Sequence, residues 1–150
     1  KHTHPWKFYI LGKATRTRLI PTISRLAAIK SAKQNSQNLE ADCSRAINKI
    51  TQPPLLIAVT SKKTEDDSFR EKEDYAATVC ALHNLVLSLW ENGVGSQWST
   101  GSITRDEETY DILSIDSKTE EIIGFVKAGY PEKTREVRKK PVVDIVNYLD

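Results

Sequence analysis

The chain has 150 residues, 39% of them hydrophobic, which supplies the apolar surface for one domain with a real core and excludes a disordered tail or linker. Its 22 basic and 20 acidic residues leave a formal charge of +2, without the excess of a general nucleic-acid binder, so no nucleic-acid partner is expected. Cys43 and Cys80 are far apart and form no CxxC pair, which argues against a disulfide framework or a structural zinc site and fits a cytoplasmic location.

In chain order, residues 6–11 are aromatic and apolar, follow Pro5 and stop at Gly12, which predicts a strand entering the core. From Thr15, a possible cap, Leu19, Ile20, Ile23, Leu26, Ala27 and Ile29 recur at helical spacing. They predict one helix or two short ones, with Pro21 as boundary or kink. Residues 31–37 read as a polar loop, and 39–50 as a helix that must end before Pro53 and Pro54. The branched apolar run 55–60 predicts a central strand buried on both faces, followed by a charged surface loop over 61–68.

The longest element spans about residues 70–92. Tyr75, Val79, Leu82, Val86 and Leu89 form an apolar stripe that Cys80, Leu87 and Trp90 widen, so this helix needs partners on several sides. Cys80 is expected as a small core residue, and Gly93 as the left-handed residue that ends the helix. After a glycine-rich passage over 94–101, Thr104-Arg105-Asp106-Glu107 reads as a capping box opening a helix to about Leu113. Ile122, Ile123, Phe125 and Val126 predict a strand over 120–129. The tail from Lys133 to Lys140 is basic, and residues 142–149 are apolar enough to need burial. This order implies an α+β layered domain with helices packed on a small mixed sheet. No apolar stretch, neither 55–59 nor 85–90, is long enough to span a bilayer, so no membrane association is expected. A chain that starts at Lys1 and contains no Met is expected to continue upstream.

Chemistry concentrates in Gly93-Val94-Gly95-Ser96-Gln97-Trp98-Ser99-Thr100-Gly101. Its glycines allow sharp turns and close backbone approach, leaving amide hydrogens free to face a ligand; a plain helix cap and tight turn fits the same spacing. His2 and His4 with His83 could be imagined as a metal site, but no carboxylate or cysteine spacing supports one and none is expected.

Five blocks then occur in order along nearly the whole chain: His4-Pro5-Trp6-Lys7-Phe8, Pro53-Pro54-Leu55-Leu56-Ile57, Ala81-Leu82-His83-Asn84-Leu85, the run from Gly93 to Gly101, and Ile123-Gly124-Phe125-Val126-Lys127-Ala128-Gly129-Tyr130-Pro131. Together they resemble the bacterial FMN-dependent nitroreductase family, and most of all its small NAD(P)H nitroreductases. The resemblance implies a nitroreductase-like layered α+β fold with a mainly antiparallel sheet. It also implies a homodimer with the long helix in the dimer contact, a C-terminal segment wrapping the partner, and one FMN per site at the subunit interface. The implied chemistry is ping-pong: NADPH or NADH reduces FMN, which passes hydride to a nitroaromatic, quinone or similar small-molecule acceptor. No side chain need serve as a catalytic residue, since the rate would come from orientation at the flavin and from donors to its N5, O4 and N3 edge.

Carried over by position, Trp98, Ser99 and Thr100 match residues whose backbone lies along the isoalloxazine, with Gly101 completing the turn. Lys1 and His2 fall where relatives place residues near the flavin ring or ribityl chain, and His4 stands where a Gln usually precedes Pro-Trp. Arg138, Lys139 and Lys140 resemble C-terminal basic residues that help hold the FMN phosphate. The family's Arg-Arg-Ser type phosphate clamp has no counterpart in the chain and is expected upstream of Lys1. A flavin-binding dimer without turnover, a sensor or storage module, is the alternative reading, and no GxGxxG motif separates NADH from NADPH.

Overall fold

The computed structural model describes residues 3–133, 139, 141 and 145–149. The elements in order are β1 (Trp6–Ile10), α1 (Lys13–Arg18), α2 (Ile20–Lys33), α3 (Leu39–Thr51), β2 (Leu55–Lys62), α4 (Ser68–Glu91), β3 (Gly95–Ser99), a 3-10 turn (Ser102–Arg105), α5 (Glu107–Leu113) and β4 (Glu120–Gly129). The four strands form one sheet in the order β1-β2-β4-β3, with every neighbouring pair antiparallel. The α+β class is as expected, and the sheet, expected to be mainly antiparallel, is antiparallel throughout among the described residues.

Helices cover both faces of the sheet, which is why its central strands β2 and β4 are apolar almost throughout. On one face Leu56, Ala58, Ile122 and Phe125 pack with Leu19, Ile23 and Ile50 of the α1–α3 layer and with Tyr110 of α5. On the other, Ile57, Val59, Ile123 and Val126 pack with Leu82 of α4. Adjacent residues Ile122 and Ile123 thus serve opposite faces, as strand geometry requires. The register between β2 and β4 then shifts: Thr60 opposes Ile122 and Val59 opposes Gly124, leaving Ile123 as the extra residue of a β-bulge.

Several boundaries differ from the sequence expectation. The segment after Gly93 contains a strand, β3, where no strand was expected; its Gly-Ser-Gln-Trp-Ser sequence lacks the branched run that marks β2, and it forms by pairing with β4. Helix α2 continues to Lys33 because Ser31 is buried and bonded to Asp42 of α3, so 31–33 is not loop. Strand β2 likewise continues to Lys62, since Ser61 is buried and its Oγ accepts a hydrogen bond from Thr78 Oγ1 of α4. Thr104 opens no capping box: its hydroxyl donates to the Gly101 carbonyl within the 3-10 turn, and α5 starts only at Glu107. Thr15 caps nothing either; α1 starts after Gly12 and ends where α2 begins, with Pro21 in the first turn of the second helix. Cys80 is exposed, not a core residue, because it lies away from the Thr78–Leu82 line that meets the sheet.

Gly93 behaves as expected. With φ of 73° it lets its own amide reach the Trp90 carbonyl and the Val94 amide reach the Leu89 carbonyl, the paired bonds that close a helix end and turn the chain into β3. Arg16 of α1 is buried, its Nε donating to the Leu11 carbonyl at 2.8 Å and its Nη1 to the Pro53 carbonyl at 2.6 Å. It thereby ties the end of β1 to the start of β2, where two consecutive prolines offer no amide of their own.

At the far end of the sheet Glu120 accepts from Tyr9 Oη at 2.9 Å and Thr60 Oγ1 at 2.6 Å, and pairs with Lys7. Burial alone would raise the Glu120 pKa, but the bonds from Lys7, Thr60 and Tyr9 bring it below the ordinary glutamate value. A carboxylate depressed in the folded state contributes stability that is complete above its unfolded pKa and is lost as the pH falls through the native one. Urea midpoints measured from neutral to acidic pH are therefore expected to fall more steeply at the acid end for the wild type than for Glu120→Gln.

Candidate functional site

A cavity of about 460 Å³ opens on the sheet face that carries α2 and α3. Its wall on the sheet side is Phe125 and Lys127 of β4 with Gln97 and Ser99 of β3, alternate residues that strand geometry places on one face. The chain leaving β3 supplies Thr100 and Gly101, then Ser102 and Ile103 of the 3-10 turn. From the helices come Ile23 and Lys30 of α2 and Asp42, Arg45 and Lys49 of α3, residues three and four apart that share a helix face.

The cavity is apolar at its base and cationic around it. Asp42 accepts from Ser31 Oγ at 2.6 Å and is paired with Arg45. The Ser31 hydroxyl foremost, then Ser36 and Arg45, hold its carboxyl down to about 2. Asp42 is therefore ionised throughout the physiological range and engaged with its own neighbours. Burial, and after it the charge of Lys49, pulls the Lys127 ammonium below the ordinary lysine value.

The residues singled out in the sequence divide cleanly. Ser99, Thr100 and Gly101 line the cavity together. A Cβ at Gly101 would meet no described atom within 4 Å, so this turn leaves room for a ligand to approach the backbone. Trp98 faces the other side of β3: its indole lies over Gly124, where a Cβ would come 2.1 Å from Nε1, and it donates to the Ile123 carbonyl at 3.3 Å. Its side chain thus fixes the strand from behind while its neighbours face the cavity. Lys139 is exposed and does not line the cavity, while Lys1, His2, Arg138 and Lys140 lie outside the described residues.

Sequence reasoning missed Gln97, Phe125, Lys127 and the polar face of α3. Phe125 and Lys127 could have been read from two-residue alternation only if the bulge at Ile123 had been known. Asp42, Arg45 and Lys49, spaced like Ala46 and Ile50, were a legible signal that a helix face looks into a polar space.

An antiparallel sheet with a long helix on one face and shorter helices on the other makes a layered α+β arrangement. The chain belongs to the Nitroreductase family, whose model matches residues 1–130. It is 28% identical to the Bacillus subtilis protein named "Putative NAD(P)H nitroreductase YfhC" over 95% of this chain and 71% of the relative. The nitroreductase-like family protein from Bacillus cereus superposes with a TM-score of 0.75 at 21% identity, over 99% of this chain and 75% of that one. The nitroreductase with bound FMN from Bacteroides fragilis superposes with a TM-score of 0.67 at 17% identity, over 99% of this chain and 78% of that one. Among the described residues no helix is long and apolar enough to cross a membrane.

Proposed function

We propose that this protein is an FMN-dependent NAD(P)H oxidoreductase of the nitroreductase type, acting in the cytoplasm as a homodimer. The observation that carries this reading is the Ser99-Thr100-Gly101 turn, which opens on the 460 Å³ cavity at the place where the family resemblance expects the flavin edge. The residues present fit the group. Gly101 leaves the backbone open to close approach, Phe125 offers an apolar surface to a ring, and the lysines nearby suit an anionic cofactor.

When bound, FMN supplies the two-electron chemistry by which NADPH or NADH is oxidised and a nitroaromatic, quinone or similar acceptor is reduced in ping-pong fashion. The chain's own contribution is to orient and to stabilise. Backbone amides of the turn would donate to the ring edge, and the helical wall of α2 and α3 would limit how an acceptor enters. Lys1 and His2 before the Pro5-Trp6 pair, and Arg138 with Lys139 in the tail, are proposed as further cofactor contacts by the family resemblance. The dimer reading is supported by α4, which exposes Phe69, Leu87 and Trp90 although its opposite side is packed on the sheet. A row of exposed large apolar side chains on one helix suits a second copy of the chain.

The test is to purify the full-length protein without added flavin and to record its visible spectrum before and after anaerobic addition of NADPH or NADH. A yellow protein of dimeric mass that releases FMN on denaturation and bleaches with either nucleotide is expected. A colourless protein that takes up no added FMN would overturn the cofactor assignment. One that stays yellow with both nucleotides would favour a binding module.

Gly101→Val separates ligand space from fold. The turn's φ of 165° is extended backbone that valine adopts, and nothing lies within 4 Å of its Cβ. The melting temperature is therefore expected to stay within a degree or two of wild type, by the small effect of changes that touch nothing. FMN affinity, read by quenching of flavin fluorescence, is expected to fall about tenfold or more, because the added branches occupy the space that the ring edge would take.

A further inference from the structure

The cavity carries an excess of positive charge whose individual members the flavin reading assigns to no particular ligand group. Among its described lining residues Lys30, Arg45, Lys49 and Lys127 are cationic and Asp42 alone is anionic, four against one. Asp42 is taken up by Ser31 and Arg45, so it does not neutralise the lysines. Lys30 and Lys49 have an ordinary reason to be where they are, since each sits in the last turn of its helix, where unpaired carbonyls favour a cation.

Lys127 has no such reason. It stands on a sheet strand beside Phe125, half-buried, and none of the described carboxylates pairs with it. The charged group acting on it is another ammonium, that of Lys49, which together with burial lowers its pKa. A half-buried ammonium facing a like charge is unfavourable in the empty protein. It becomes favourable once an anion sits between the two, since each ammonium then gains a charge-assisted hydrogen bond.

We propose that Lys127 and Lys49, with Lys30 at the rim, form an anion subsite of this cavity, which holds an oxyanion group of its ligand while the apolar part rests on Phe125. This rests on the flavin-enzyme reading for the identity of the ligand, and two sources offer that chemistry: a carboxylate or sulfonate on the electron acceptor, and the phosphate of the cofactor. The acceptor source makes the substrate class anionic aromatics. The cofactor source makes Lys127 a phosphate contact.

Two pairs of ligands that differ by the anion alone separate these sources. Equilibrium binding to the full-length protein is measured by calorimetry for 4-nitrobenzoate against its methyl ester, and by fluorescence quenching for FMN against riboflavin. In the wild type one pair is expected to show preference for the anion of about tenfold or more, the scale of losing one partner of a desolvated charge pair. Lys127→Gln is expected to reduce that preference to about threefold or less, and Lys127→Arg to retain it. Lys49→Gln is the second variant and is expected to act in the same direction. If the preference lies in the nitrobenzoate pair the anion belongs to the acceptor, and if it lies in the flavin pair it belongs to the cofactor.

The subsite is overturned if neither pair shows a preference, or if the preference survives in Lys127→Gln and Lys49→Gln. The nitrobenzoate arm needs no turnover and no flavin. A protein that takes up neither flavin would overturn the function proposed above, while this arm would still decide for or against the subsite.

Discussion

Gly124→Ala is expected to destabilise the protein by about 2 kcal/mol, within the range for overpacking a filled interior, and at the same time to weaken flavin uptake. The added Cβ would stand 2.1 Å from Trp98 Nε1, 2.6 Å from Trp98 Cδ1 and 3.0 Å from the Ser99 carbonyl oxygen. The indole can escape only by leaving its place over β4, which breaks its hydrogen bond to the Ile123 carbonyl. The Ser99 carbonyl belongs to the backbone of β3, so the strand itself must also give. Because Thr100 and Gly101 follow directly, displacement of β3 is carried into the turn that lines the cavity. Urea denaturation reads the first effect and FMN titration the second. The double variant Gly124→Ala with Trp98→Ala removes the ring contacts but leaves the carbonyl contact, so only partial recovery of the urea midpoint over Gly124→Ala alone is expected. Wild-type stability in Gly124→Ala would show that β3 accommodates the methyl group without cost.

Arg16→Leu should cost about 3 kcal/mol, since bonds from a charged donor are replaced by buried carbonyls without partners. The side chain is 8% exposed and donates to the carbonyls of Leu11 and Pro53, with Pro54 at 3.5 Å. Leucine keeps the apolar stem but offers no donor, and neither proline can rearrange to supply an amide hydrogen. Arg16→Lys is expected to recover part of the loss, as one ammonium cannot reach both carbonyls in the geometry of a planar guanidinium. The expected signature is a lower urea midpoint with an unchanged denaturant slope, since the surface exposed on unfolding stays the same.

How far the sequence was legible depended on whether the decisive interaction was local. The strands β2 and β4 announced themselves because burial on both faces demands continuous branched apolar residues, and α4 because its stripe repeats over many turns. The Gly93 cap was readable because its chemistry is confined to a few neighbouring residues. Where partners are distant in sequence the reading failed. Ser31 and Ser61 look like loop residues until Asp42 and Thr78 are seen to bury them. Strand β3 has no strand-like composition, and its pairing with β4 supplies what its own residues lack.

The site was legible in the same uneven way. The turn from Ser99 to Gly101 was singled out through its glycine and the family resemblance, and it lines the cavity. The role of Trp98 as a clamp on Gly124 depended on a contact across 26 residues of chain, which no local pattern reveals. The charged wall came from three separate segments, α2, α3 and β4, and its members meet only in the folded chain.

The bulge at Ile123 also matters to how the gene can change. A strand presents its side chains in two alternating phases, and one residue more or less exchanges them. With Ile123 as the extra residue, Ile122 upstream and Phe125 downstream share a face although three positions separate them, and Lys127 follows Phe125 toward the cavity. Loss of that single codon would leave Ile122 and Phe125 two positions apart, so ordinary alternation would keep Phe125 and Lys127 on the cavity face while the bulge itself disappeared. A three-base deletion at Ile123 would thus straighten the strand and leave the cationic wall in place, a loss that in an unbulged strand would instead exchange the two faces.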